Sequence, residues 1–201
     1  MQENTKELLR ANNDILGLMI LIKNIGWSSI REQSIQRTLY LTKVLYSFVS
    51  TDEKNLFEEY HFSVSIAGPY SELIKRSILD LRVREILSED SEGNIQIAHL
   101  DFQFSEDENK VKWLKTIIYI LGLYGESKIF SFTINDPLYK EAIETNSQKE
   151  LNTSPENKTV KVLNSFKSAF EETLENVSNI NKEEYLELYF EYIFSKIIKR
   201  D

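Results

Sequence analysis

Apolar residues recur at helical spacing in two stretches of the first 50 residues. Ile15 to Ile25 is apolar on most sides, which is typical of a buried helix, and Gly26 and Trp27 mark its end. Residues 33–49 carry apolar side chains three and four positions apart and predict a second helix. The chain therefore begins with two predicted helices.

The most informative stretch runs over residues 62–100. Phe62 to Ile66 alternates apolar and polar residues as a short strand does, and Gly68-Pro69 breaks it. Ser71 can cap the following helix, which is predicted to end near Ile86 and Leu87. A polar turn with Gly93-Asn94 and a second strand at residues 95–97 then follow. This order of strand, helix and two-stranded hairpin predicts a winged helix.

The second half of the chain is predicted to be helical, with one ambiguous segment. Ser105 to Glu108 reads as a capping box, and the helix that it begins is predicted to end at Gly122. Residues 128–134 alternate, which favours a strand or an extended link. Two helices are predicted near the C-terminus, and Asn181 to Glu184 is predicted to cap the second.

These elements predict a mainly α protein with a small β wing, of the α+β class. We expect a winged-helix-like core over residues 1–143 and a C-terminal helical segment over residues 160–201. Residues 144–159 lack aromatic side chains, are polar and contain Ser154-Pro155, which is typical of a linker.

Composition narrows the class of function. The 201 residues include 41% hydrophobic and 28% charged residues, as is ordinary for a globular protein. The chain has no cysteine, which excludes disulfides, thiolate nucleophiles and cysteine-bound zinc. It also lacks an apolar run of about 18 residues and the pattern of a signal peptide, so we expect a cytoplasmic protein with no membrane contact.

The net charge of −8 argues against unaided binding of nucleic acid over most of the surface. Within the predicted recognition helix, Lys75, Arg76 and Arg82 are nevertheless candidate DNA contacts. The alternative is a solvated or protein-facing surface, which we favour because the predicted wing is acidic and would repel a phosphate backbone. DNA contact could also be indirect, through a larger complex.

No group of residues predicts catalysis. The two histidines, His61 and His99, have carboxylates nearby in sequence, but neither has the helical spacing of a metal-ligand pair. No pair of carboxylates stands out as an acid and a base. We therefore expect no enzyme activity, no metal and no cofactor.

The last helix is apolar on nearly every side. One face carries Tyr185, Tyr189, Tyr192 and Lys196, and the other carries Leu186, Phe190, Ile193 and Ile197. The second face suffices to pack on the preceding helix, so we expect the tyrosine face to bind a partner. The partner could be another subunit or a second copy, and packing within the chain is the alternative.

Four short segments carry a family resemblance. They are residues 35–41 (IQRTLYL), 67–71 (AGPYS), 124–129 (YGESKI) and 136–139 (DPLY). Together they resemble the middle component of ABC-type three-component anti-phage defence systems, a group that includes the accessory subunit of Lamassu systems. The helix followed by the Gly-Pro turn is also similar to the Panacea-type antitoxin domain. The resemblance covers residues 30–140.

The resemblance implies an adaptor that does no chemistry itself. Such a subunit accompanies an SMC-like or ABC-type ATPase and a separate effector, such as a nuclease. Two alternatives stay open: an antitoxin-like protein that neutralises a toxin by direct binding, and a winged-helix DNA-binding regulator. Neighbouring genes would separate the adaptor from the antitoxin, because one needs an ATPase gene beside it and the other a toxin gene.

Overall fold

The computed structural model describes residues 2–50, 55–99, 107–145, 150–173 and 180–198, without the side chains of 2, 194 and 196–198. The described chain forms eight helices and four short strands. The helices are α1 Gln2–Asn24, α2 Glu32–Val49, α3 Glu72–Val83, α4 Glu108–Gly122, α5 Gly125–Asn135, α6 Pro137–Glu144, α7 Lys158–Thr173 and α8 Lys182–Ile198. The strands are β1 Ser63–Ser65, β2 Gly68–Tyr70, β3 Leu87–Glu89 and β4 Ile95–Ile97. The protein is thus mainly α with a small β wing, as predicted.

The wing is completed by a residue from the start of the chain. Strands β3 and β4 pair antiparallel, with Leu87 opposite Ile97. Ile30, just before α2, adds a bridge to Ile95 through N–H···O bonds of 2.9 and 2.8 Å. The chain order is therefore helix, bridge, helix, helix and wing, which is the order of a winged helix. The fold class predicted from the sequence is confirmed.

An additional hairpin separates the second and third helices. Gly68-Pro69-Tyr70 does more than break the predicted strand, because these residues form β2 and pair with β1, with Ser65 opposite Gly68. Gly68 has φ +118°, a conformation that costs glycine little. The tip of the hairpin is Ile66-Ala67.

The start of α3 was predicted correctly, but the expected cap was wrong. Ser71 stands at the N-cap position, yet its buried hydroxyl makes no hydrogen bond among the described residues. The side-chain amide of Gln36 instead accepts from Ser71 N at 2.9 Å and donates to Ser71 O at 3.1 Å. The turn before α3 is therefore held by α2 rather than by its own serine.

The strand or extended link expected at residues 128–134 is wrong, because this segment lies inside α5. Ile129, Phe132 and Thr133 are buried at helical spacing against the neighbouring helices. The preceding helix, α4, is capped by Asp107, whose carboxylate accepts from Asn109 N at 3.0 Å and Lys110 N at 3.2 Å. Residues 105 and 106 of the predicted capping box lie outside the described residues.

One hydrophobic core joins the two ends of the chain. Leu163 of α7 and Leu186 and Phe190 of α8 belong to the same buried cluster as the residues of α1 to α5. Between α6 and α7, Leu151 is buried and its N–H donates to Phe62 O at 2.7 Å. Residues 146–149 of the predicted linker lie outside the described chain, and the predicted domain boundary stays a prediction.

Among the described helices, none is by itself long and apolar enough to cross a membrane. Helices α4 and α5 meet that test of length and composition only as a pair, and they are bent by 103° relative to each other.

Candidate protein interface

Helices α7 and α8 enclose an open, mostly apolar groove. Its volume is about 640 Å³, which is large enough to seat several side chains. The α7–α8 groove is lined by Phe166, Ala169, Phe170, Thr173, Leu188, Glu191, Tyr192 and Ser195. Phe166 forms its centre, with its ring centroid 6.1 Å from that of Phe170 and 5.8 Å from that of Tyr192.

Local sequence explains how the two walls form. In α7, Leu163, Phe166 and Phe170 recur at three and four residues and so share one face. Helix α8 begins with the predicted cap: Asn181 Oδ1 accepts from Glu184 N, and Glu184 Oε2 accepts from Asn181 N, both at 2.9 Å.

The tyrosine face expected to be free is largely buried. Tyr185 and Tyr189 are only 1% and 3% exposed, whereas Tyr192 is 48% exposed. Tyr189 packs edge-on against Phe166 at 5.4 Å and Phe132 at 6.2 Å. The expectation that three tyrosines are left over is therefore wrong for two of them. The side chain of Lys196 lies outside the described residues.

The physical reason is that both faces of α8 have partners inside the chain. Leu186 and Phe190 face the core, where Phe190 lies 4.2 Å from Phe132 between ring centroids. Tyr185 contacts α7 instead, through Phe170 at 5.9 Å and a hydrogen bond from its hydroxyl to Glu171 at 3.1 Å. Helix α8 borders the groove along one edge, which carries Leu188, Glu191, Tyr192 and Ser195.

One rim of the α7–α8 groove is acidic. Glu191 lines it, and Glu187 is exposed one turn earlier on the same helix. Burial raises the pKa of Tyr124, which lies between α4 and α5, and the charges of Glu191 and Glu187 raise it further. Both glutamates are therefore near the α4–α5 junction. A partner that binds along this rim would be favoured by positive charge.

The candidate DNA contacts on α3 are mostly neutralised by neighbouring elements. Lys75 Nζ lies 3.0 Å from Glu32 of α2, and Arg82 Nη1 lies 2.7 Å from Glu89 of the wing. Arg76 is exposed and makes no ion pair among the described residues. The structure thus does not present the three residues as a free cationic face, and DNA contact stays a prediction.

The outer face of α3 is also apolar in part, because Leu79 is 56% exposed and Val83 is 75% exposed.

One acidic residue of the wing, Asp90, has a structural role, because its carboxylate holds the turn of the wing. Asp90 accepts from Glu92 N and Asn94 N at 2.9 Å each and from Ser29 Oγ at 2.7 Å. These hydrogen bonds, with that from Ser29 first, lower the pKa of Asp90 to about 2.

A buried charge cluster, which the sequence did not reveal, joins α1, α4 and the segment before β1. Lys110 Nζ lies 2.8 Å from Asp14 Oδ2 and 2.6 Å from Glu59 Oε1. Tyr60 OH donates to Asp14 Oδ2 at 2.8 Å. Burial raises the pKa of Asp14 to about 6, although Lys110 opposes the shift. The three charged side chains are at most 10% exposed, so the cluster is suited to holding elements together rather than to receiving a substrate.

A second buried carboxylate ties the C-terminal helices to the core. Asp136 accepts from Tyr40 OH and Thr159 Oγ1 at 2.7 Å each and from Tyr139 N at 3.1 Å. Burial raises the pKa of Asp136, and its hydrogen bonds oppose that shift. This single carboxylate links α2, α6 and α7.

The histidines are at the surface. His61 Nδ1 contacts the carboxylate of Glu150, and both side chains are exposed. His99 is exposed as well. Within the described ranges, no group of three or more histidine, aspartate or glutamate side chains is arranged to hold a metal ion.

Comparison with protein-family models, with curated proteins and with solved structures gives no match. Function must therefore be argued from the motifs of the sequence and from the surfaces described above.

Proposed function

We propose that the chain is a non-catalytic adaptor subunit of a bacterial anti-phage defence complex in the cytoplasm. Its partners would be an SMC-like or ABC-type ATPase and an effector such as a nuclease. The observation that carries the adaptor role is the open α7–α8 groove, whose apolar lining has no cover among the described residues.

The occupant that best fits the groove is an amphipathic helix of a partner subunit. Two walls of aromatic and aliphatic side chains, one from each helix, suit a partner helix that inserts apolar residues at three- and four-residue spacing. The acidic rim at Glu187 and Glu191 favours lysine or arginine beside those residues. Tyr192, which is 48% exposed, stands at the mouth of the groove as an aromatic anchor.

The defence setting rests on the resemblance, and one feature of the fold supports it. Two of the segments that carry the resemblance meet in space, because Gln36 of α2 pairs with both backbone groups of Ser71. A third segment joins them, since Asp136 accepts from Tyr40 of α2. The motifs therefore belong to one structural unit rather than to scattered positions.

The alternative functions have less support. An antitoxin would use the same groove for a toxin segment, and a small toxin gene beside this one would favour it over an adjacent gene with coiled coils and ATPase motifs. A DNA-binding regulator has the winged-helix order in its favour, but Lys75 and Arg82 are already paired with carboxylates.

Co-expression with the products of the neighbouring genes tests the proposal. Tyr192→Ser should reduce co-purification of a partner subunit by about tenfold, the loss expected for one aromatic anchor. Tyr119→Ser is the matched control, because Tyr119 is 61% exposed on α4 and does not line the groove. Equal recovery of partners by wild type and Tyr192→Ser would contradict the role of the groove, and so would an equal loss in both variants.

A further inference from the structure

Arg37 of α2 is a buried guanidinium with few partners. The residue is 8% exposed, and its Nη2 donates to Ala67 O at 2.6 Å. Its Cζ lies 4.6 Å from the centroid of the Phe130 ring. Nε is buried without a hydrogen-bond partner, so most of the five donors of this group make no hydrogen bond to the described residues.

The charge of Arg37 has no close counter-charge. No described carboxylate lies within 4.0 Å of its guanidinium. Glu126 is an acidic side chain whose charge acts on Arg37, but its carboxylate accepts from Ser34 Oγ at 2.5 Å and lies 3.9 Å from Arg31 Nε. Burial and the neighbouring positive charge of Arg31 lower the pKa of Arg37. Burying a cation without a counter-ion is costly, and an external carboxylate would offset that cost.

The accessible end of the guanidinium can be identified. Nη1 makes no hydrogen bond to the described residues, but unlike Nε it is not fully buried. Nη1 therefore keeps contact with solvent, while Nε faces Gly68, where a Cβ would come within 3.2 Å. A ligand would approach from the Nη1 side.

The β1–β2 hairpin beside Arg37 presents a fully exposed apolar side chain. Ile66 at its tip is as exposed as in an extended chain, at 109%. The tip is held on both sides, because Arg37 donates to Ala67 O and Tyr139 OH donates to Ser65 O at 2.9 Å. Ser65 Oγ also donates to Gly68 O at 2.7 Å. A side chain held out on a braced hairpin loses little entropy when a partner binds it.

We infer that Arg37, Phe130 and Ile66 form a second docking site, which takes an acidic segment of a partner protein. A glutamate or aspartate of that segment pairs with the Arg37 guanidinium, and an apolar neighbour packs on Ile66 and on Phe130, which is 40% exposed. The patch holds two cations, Arg31 and Arg37, against one carboxylate, Glu126, which lies beside Arg31. It therefore has an excess of positive charge in a chain with a net charge of −8. The site is therefore opposite in charge to the acidic-rimmed α7–α8 groove, and we expect the two sites to bind different partner segments.

Two small probes test the acidic specificity: acetyl-Leu-Glu-Leu amide and its neutral counterpart, acetyl-Leu-Gln-Leu amide. In spectra of the full chain, the glutamate peptide should shift the Arg37 Nε–H signal (proton–nitrogen) and the Ile66 methyl signals (proton–carbon) in a saturable way. The glutamine peptide should bind about tenfold more weakly, as expected on loss of a charge-assisted hydrogen bond. Exposed Arg76 is the internal control, and its Nε–H signal should stay in place.

Equal shifts at Arg37 and Arg76, or equal affinity for the two peptides, would overturn the inference, as would the absence of saturation. Ile66→Ser removes the apolar contact without touching the braces of the hairpin and should weaken binding of the glutamate peptide severalfold. Arg37→Met should abolish binding; if it does not fold, the spectra and Ile66→Ser still decide. Tyr192→Ser should leave peptide binding unchanged, so that failure of this site is distinguishable from failure of the groove.

Discussion

Replacing Asp14 by asparagine should change how the stability of the protein depends on pH. In the folded chain, burial raises the pKa of Asp14 from 3.8 to about 6. Between those values the folded chain binds a proton that the unfolded chain does not. The free energy of unfolding therefore falls as pH rises through this window. The contribution becomes constant above about pH 7, because the carboxyl is then ionised in both states.

The magnitude follows from the size of the shift. A displacement of about two pKa units corresponds to roughly 3 kcal/mol of stability lost between about pH 4 and pH 7. Lys110 does not change this window, because its pKa is raised above 10.5 and its proton stays bound throughout. In Asp14→Asn the titrating group is absent, while the amide oxygen can still accept from Tyr60 OH.

Urea unfolding at pH 4 and pH 7 measures the effect. The difference in unfolding free energy between Asp14→Asn and wild type should move by about 3 kcal/mol in favour of the variant as pH rises. Glu3→Gln, which removes an exposed carboxylate from the same helix, controls for the loss of one negative charge. If the difference in unfolding free energy between wild type and Asp14→Asn is the same at pH 4 and pH 7, then Asp14 does not bind an extra proton in the folded chain and the reasoning is wrong.

Substitutions at two further positions test the attachment of the C-terminal helices. Asp136→Ala should lower the unfolding free energy by about 3 kcal/mol or more, because Tyr40 and Thr159 lose a buried acceptor and α6 loses its cap. Asp136→Asn should lower it less. Equal denaturation midpoints for wild type and Asp136→Ala would refute the role of this carboxylate. Tyr189→Ala should cost about 3–5 kcal/mol by leaving a cavity among aromatic rings, whereas thermal melting that is unchanged in this variant would show that α8 is not part of the core.

The parts of the fold that were predicted correctly depend on neighbours in sequence. The wing follows from Gly93-Asn94, where a tight turn is easily formed between alternating residues. Asn181 and Glu184 predicted the start of α8 because a capping box closes within four residues. Where a segment is compatible with two patterns, tertiary packing selected the structure. Residues 128–134 suit a strand as well as a helix, and they form part of α5, which packs on α2 and α4.

The candidate sites were predicted less well for the same reason. Helix α8 is apolar on two sides, and only the positions of α5 and α7 show that Tyr185 and Tyr189 are inside and Tyr192 is at the surface. The groove itself needs both helices, so neither sequence alone could show it. Arg37 lies in one of the four segments that carry the family resemblance, and Ile66 lies in none of them. The sequence did not mark either residue for binding, since their significance comes from the hairpin that brings them together.

The sequence by itself determined the mainly helical class, the winged-helix order and some helix ends, such as both ends of α2 and the starts of α3 and α8, because spacing, caps and turns act over a few residues. It did not determine the end of α3, which was expected near Ile86 and Leu87 but lies at Val83. Tertiary structure decided which apolar faces are buried and which charges are paired. Lys110 meets Asp14 and Glu59 across 96 and 51 residues of chain. Pairings at that distance depend on how whole helices pack, and the periodicity of a single helix does not contain that information.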